Sequence, residues 1–258
     1  MSDISTNRVQ FEEALLAIFL ELYNNDGTGG DGGTILASRL SIINYVKAKL
    51  DELIPEGEGL TFNLSTSPNI SNPLDLLINA HIDEATKDVI LTAPLSVLYP
   101  VAYAGTAVHT GTNKFGYIVL PANYLRLSSF KMTDWLRDVS VPITPQNPIY
   151  KKQSNEYLRG GTAKPIAVLN WKNLPTTVDE VTTYSAKRIL EYYSVDTVHT
   201  IDKLLYIPEQ VAEDFVAVNP DLLPSLAWMC AAKILQITRL FDAAKLAMEQ
   251  VTLSYTNL

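Results

Sequence analysis

Residues 219–255 read NPDLLPSLAWMCAAKILQITRLFDAAKLAMEQVTLSY, and this stretch decides the fold class. From Leu223, the apolar or small residues Ala227, Cys230, Ile234, Ile237 and Phe241 follow at steps of four and three. That spacing lays one apolar stripe along one helix face. Ala244, Met248 and Val251 continue it beyond a turn near Arg239–Asp242, where Asp242 is placed to cap a second helix. Ala227, Ala231, Ala232, Ala243, Ala244 and Ala247 are small enough to let the two helices approach closely. The end of the chain therefore predicts an Ala-rich helical hairpin. Upstream, Pro208 stands where a first helical position would be, with Val211 and Phe215 on one face of a short segment.

The beginning of the chain has the same character. Phe11, Leu15, Ile18, Phe19 and Leu22 recur at helical spacing. The sequence GTGGDGG at 27–33 holds five of the twelve glycines and predicts a connector. A second helix is expected from about Thr34, burying Leu36, Leu40, Ile43, Val46, Leu50 and Leu53, and ending at Pro55. Two amphipathic hairpins need partners for their apolar stripes, so the two chain ends are expected to form one four-helix arrangement.

The pattern changes between them. Asp88–Thr92, Phe115–Leu120, Tyr124–Lys131, Ile166–Trp171 and Ile189–Tyr193 are short runs rich in β-branched and aromatic residues, and each is expected to be a strand. Gly111 to Asn113 stand where a hairpin would close. The expected fold class is α+β, with a helical hairpin at 1–55, a β-rich insertion at 56–207 and completing helices at 208–258. Within the insertion, about 138–165 is rich in Pro and Gly and lacks a periodic core signal, so it is expected to be a long extended arm.

Composition narrows the classes of function. The 258 residues carry 20 Lys and Arg against 28 Asp and Glu, a net charge of −8, which argues against general nucleic-acid affinity. No run approaches the ~18 apolar residues of a membrane span, and MSDISTNRVQFEE lacks the pattern of a secretory signal. A soluble, cytoplasmically made protein is expected. One cysteine, Cys230, excludes an internal disulfide and a cysteine-framed zinc site. The charge is unevenly placed: residues 1–54 are net −4, 208–258 net −3 and the middle only −1. Residues 124–164 reverse the sign, with Arg126, Lys131, Arg137, Lys151, Lys152, Arg159 and Lys164 against Asp134, Asp138 and Glu156.

Reactive constellations are weak. His81, His109 and His199 are far apart, and none has metal-ligand spacing. Cys230 in AWMCAAKIL reads as a buried small hydrophobe. The glycine cluster lacks the closing Gly-Lys-Ser/Thr of a phosphate loop, and no GxSxG elbow occurs. No catalytic, cofactor or metal site is expected. The aromatic and basic stretch 124–164 instead points to contact with macromolecules. Tyr124, Arg126, Trp135, Arg137, Tyr150, Tyr157 and Arg159 are the candidate interface residues, because Tyr, Trp and Arg dominate protein hot spots. The same residue types can also stack bases and neutralise phosphates, which leaves a nucleic-acid-binding or other protein-interaction module using 124–164 as the alternative.

The closing segment quoted above resembles the last helices of head-to-tail connector (adaptor or ring) proteins of tailed bacteriophages. The central run LPANYLRLSSFKMTDWLRDVSVPITP and YKKQSNEYLRGGTAKPIAVL, followed by LEYYSV, is most like a portal-associated ring protein of crAss-like Bacteroides phages. The resemblance covers roughly 115–258 and implies a non-enzymatic virion protein without cofactors. It would be assembled in the host bacterial cytoplasm into closed rings, commonly of about twelve subunits. Its implied partners are its own copies, the portal protein, further tail or ring proteins, and packaged DNA passing without specific binding; no membrane is involved.

Overall fold

The computed structural model describes residues 35–53, 72–109, 114–155, 157–178, 181–209 and 215–256. The expected helix at 11–22 and the glycine connector lie outside these. The fold is α+β, and the chain divides into two compact units. One holds the described residues up to Tyr99 with those from Phe215; the other is Pro100–Glu209.

In the first unit, β1 (Ile35–Ser38) pairs antiparallel with β9 (Phe215–Val218). Helices α1 (Arg39–Leu53), α2 (Pro73–Thr92), α4 (Leu223–Ile237) and α5 (Phe241–Thr256) make up the rest. The second helix thus starts five residues later than the periodicity predicts. Leu36 sits in a strand and is exposed, while the Ser38 hydroxyl accepts from Ser41 N at 3.2 Å and starts α1. Ile43, Val46 and Leu50 are buried as expected.

Asp88–Thr92 is not a strand but the last turns of α2. Asn72 caps that helix by accepting from Leu74 N at 3.0 Å, and Pro73 occupies its first turn. Ile78, Ile82, Ala85 and Val89 are fully buried at helical spacing, so helical packing overrides the β preference of the VILT run. Accordingly the β-rich unit begins at Pro100 rather than at residue 56.

Helix α4 is buried almost all round and lies against α1, α2 and α5. Leu226, Ile234 and Leu235 each contribute about 1.5–3 kcal/mol on burial, and Ala227, Ala231, Ala244 and Ala247 are all buried. Ile237 and Phe241, at the end of the predicted stripe, are exposed because the chain turns there. Arg239 adopts φ 65°, and Ala244 N donates to Leu240 O, so Asp242 lies in the first turn instead of capping. Polar links cross the helices as well. Lys47 Nζ meets Asp75 Oδ1 at 2.5 Å, with the two side chains only 2% and 1% exposed. Lys233 on α4 reaches Asp88 at 2.6 Å and Glu84 at 3.1 Å on α2.

The second unit holds two antiparallel sheets. In one, β2 (Val101–Ala102) and β5 (Tyr124–Met132) flank β8 (Ile201–Pro208). Pro208 therefore ends a strand, paired with Tyr124, rather than starting a helix. In the other the order is β3 (Ala107–His109), β4 (Phe115–Val119), β7 (Val181–Tyr193) and β6 (Val168–Val178). β3 and β4 pair antiparallel on either side of 110–113, which lies outside the described residues. Bulges in β5 between Tyr124 and Arg126 and between Leu127 and Ser129 interrupt its alternation. Tyr124, Leu127, Phe130 and Met132 are thereby buried with Ile118, Leu190, Tyr192 and Leu204 in one core.

Candidate functional site

The residues expected to form an interface divide between core and surface. Tyr124 is buried and stacks on Tyr206 with ring centroids 6.0 Å apart. Burial pushes its phenol up to about 12 despite the nearby Arg188, whose Nη1 donates to Tyr124 O at 2.9 Å. Trp135 is buried edge-on to Phe130, and its indole N–H donates to Tyr193 O at 2.8 Å. Both aromatic rings hold the unit together, so neither is a surface contact. Arg126 is half-buried at the bulge, Arg137 is exposed, and Tyr157 is 93% exposed. Arg159 is half-buried, its guanidinium 4.3 Å from the Tyr193 ring centroid and 5.6 Å from that of Phe115. Tyr150 is half-buried beside a groove described below.

The segment 138–165 is not an extended arm. Val139 bridges to Phe130, and Ile143 bridges in parallel to Val168. The Ser129 hydroxyl donates to Asp138 Oδ2 at 2.6 Å and holds that carboxyl below its usual range, aided by Lys203 at 3.2 Å. Asn147 accepts from Ile149 N and caps a short helix, α3 (Pro148–Lys152). The Gln153 side chain then accepts from Gly160 N, and Leu136 N donates to Thr162 O. The prolines cut the entropy of the unfolded loop, and these bonds close it onto its own unit.

Folding α3 back leaves a groove of about 460 Å³ against the sheet. Phe115, Gly116 and Tyr117 of β4, Lys172 of β6 and Glu191 of β7 form one side, with Tyr150, Lys151, Gln153 and Ser154 opposite. Lys172 Nζ lies 4.2 Å from the centroid of the Tyr117 ring. The Glu191 carboxylate, together with burial, raises the Tyr150 phenol above its ordinary value. Asn170 Nδ2 donates to that same carboxylate at 3.1 Å. Three aromatic rings, two lysines and one carboxylate thus line the groove.

A second surface feature was only half legible in the sequence. Strands were expected at 166–171 and 189–193, yet β6 and β7 pair continuously from Val168↔Glu191 to Val178↔Val181. Only Ile189–Tyr193 of β7 pairs with β4, so among the described residues the remainder is a two-stranded ribbon without a third strand. Trp171 is 61% and Tyr184 72% exposed on it, and the Arg188 guanidinium lies 5.2 Å from the Trp171 ring centroid. The Thr pairs flanking Asp179-Glu180 carried the strand signal, and Pro175 concealed it. Asp179 and Glu180 themselves lie outside the described residues.

Of the histidines, His109 and His199 come together, with ring centroids 4.4 Å apart. His199 Nδ1 hydrogen-bonds the Tyr192 hydroxyl at 3.1 Å. Desolvation and the neighbouring His109 lower the His199 pKa, opposed by Asp134 and Asp196. His81 belongs to α2 in the other unit and meets Glu84 at 3.5 Å. Among the described residues no group of three or more His, Cys, Asp or Glu is placed to hold a metal ion. Cys230 is buried, and burial pushes its thiol up to about 12. No described helix is long and apolar enough to cross a membrane.

No protein-family model matches the chain, and no curated protein matches it either.

Proposed function

We propose that this protein is a structural subunit of a phage head-to-tail connector, forming a ring that docks to the portal and bridges to the tail around the DNA channel. The observation that carries the reading is the β6–β7 ribbon. A two-stranded ribbon is marginal in water without a third layer, yet this one presents Trp171 and Tyr184 to solvent. Large exposed aromatics on such an element are suited to burial against another chain. In the same reading, the helical unit is a bundle built from both chain ends. Rings use heterologous contacts, in which a projecting element of one subunit meets a different surface of the next.

The test is the mass of the full-length chain in solution, alone and mixed with portal protein. A discrete oligomer or a portal complex, weakened by Trp171→Ala with Tyr184→Ala, is the expected result. A monomer under both conditions would overturn the reading. Salt-dependent DNA binding by that monomer would favour the nucleic-acid alternative instead.

A further inference from the structure

We infer that the groove beneath α3 receives the tip of the β6–β7 ribbon of a second copy of this chain. The inference rests on the ring reading above and names the contact that would close the ring. Three observations support it.

The first is charge. Lys151 and Lys172 line the groove against a single carboxylate, Glu191, which already accepts a hydrogen bond from Asn170. The two residues joining Val178 to Val181 are Asp179 and Glu180, so the ribbon ends in two acids. A groove with a positive excess and a tip carrying two negative charges are complementary.

The second is reach. Lys172 lies in β6 six residues before Val178. At about 3.3 Å per residue, the extended strand sets Val178 roughly 20 Å from Lys172 in the groove wall. A paired ribbon does not fold back over that distance, so this end of it does not enter the groove of its own chain.

The third is the state of the outer edge of β6. Leu169 N donates to Ile143 O at 2.8 Å, Trp171 N donates to Asn170 Oδ1 at 2.8 Å, and Pro175 has no amide hydrogen. Leu169, Trp171 and Pro175 lie on one edge, and these three positions offer no free donor to an added strand. Strand addition along β6 is therefore weakened at these positions, whereas docking by the tip does not use them.

Disulfide trapping tests the contact. A full-length variant carrying Lys151→Cys and Glu180→Cys is oxidised mildly and run without reductant. The native Cys230 is buried with its thiol pushed up to about 12, which keeps it out of the reaction. A ladder of covalent multimers from the double variant is expected, while either single cysteine gives at most dimers. In parallel, Lys151→Glu with Lys172→Glu should weaken self-association roughly tenfold or more, and so should Asp179→Lys with Glu180→Lys. The combined charge swap should restore it. If the parent chain forms oligomers but gives no ladder and ignores both reversals, this contact is wrong and the ring reading stands. If the parent chain is monomeric at its highest soluble concentration and no ladder forms, both fail.

Discussion

The Lys47–Asp75 pair gives the sharpest quantitative test of the helical unit. Both side chains are essentially inaccessible, so neither charge is solvated by water, and each depends on the other at 2.5 Å. Replacing Lys47 by Ala leaves the Asp75 charge buried and unpaired, and also opens a cavity between α1 and α2. Breaking a buried pair on one side costs about 3–5 kcal/mol. With a urea m-value of about 2 kcal/mol/M, the midpoint should fall by roughly 2 M. The double change Lys47→Met with Asp75→Leu removes both charges while keeping apolar volume. It should lie within about 1 kcal/mol of the parent or above it, because desolvating the pair offsets most of its attraction. The assay is urea unfolding followed by the helical far-UV circular dichroism. That signal reports this unit, since α3 is the only described α-helix in the other. A loss below about 1 kcal/mol for Lys47→Ala, or a double variant as unstable as the single, would refute the reasoning.

In the β-rich unit, a Cβ added at Gly116 would collide with the Tyr192 hydroxyl and approach His199 Nδ1 at 3.0 Å. Gly116→Ala should therefore destabilise that unit by about 1–3 kcal/mol, read as a lower thermal midpoint in the near-UV signal. The folded pKa of His199 is depressed below its ordinary value of 6.5, so the unfolded chain binds the proton more readily. Its neutral form supports the fold above about pH 6.5, and that support is lost as pH falls towards the depressed value. The same midpoint should drop on acidification, and His199→Gln should flatten the drop; an unchanged slope would remove His199 as its source. Trp135→Phe keeps most of the apolar contact with Phe130 but leaves Tyr193 O without its donor, for an expected loss of about 1–3 kcal/mol.

The sequence was most legible where one periodicity ran unbroken. The stripe through Ala227, Cys230 and Ile234 placed α4, and the buried alanines fall where close helix packing requires them. It was least legible where two tendencies competed. The run Val89-Ile90-Leu91-Thr92 has strand composition, but Ile78, Ile82 and Ala85 extend the same face upstream, and burial decides. Tyr124 and Trp135 looked like hot-spot residues because composition does not distinguish an aromatic facing a partner from one facing its own core. For Tyr124 the bulges in β5 interrupt the alternation that would reveal its face, and Trp135 lies in the turn after that strand, where no alternation exists to read. The pairing of His109 with His199 joins a short edge strand to the turn after β7, a long-range contact that no local spacing encodes.

Charge placement carries the same lesson into function. The window 124–164 is basic as a sequence, yet several of its charges are engaged within the fold. Lys131 pairs with Asp202 at 2.8 Å, Asp138 with Lys203, and Arg159 lies over Tyr193. The groove instead combines Lys151 from that window with Lys172 from outside it. The groove thus draws on residues inside and outside that window, because the sheet order sets β6 beside β7 and the folded segment sets α3 against β4. The asymmetry that a head-to-tail ring needs does not have to arise from acidic chain ends and a basic middle. In the proposed contact both halves come from one unit, the lysine-lined groove and the acids Asp179 and Glu180 that follow β6 in sequence. A contact of that kind would survive rearrangement between the two units, since both of its surfaces belong to Pro100–Glu209.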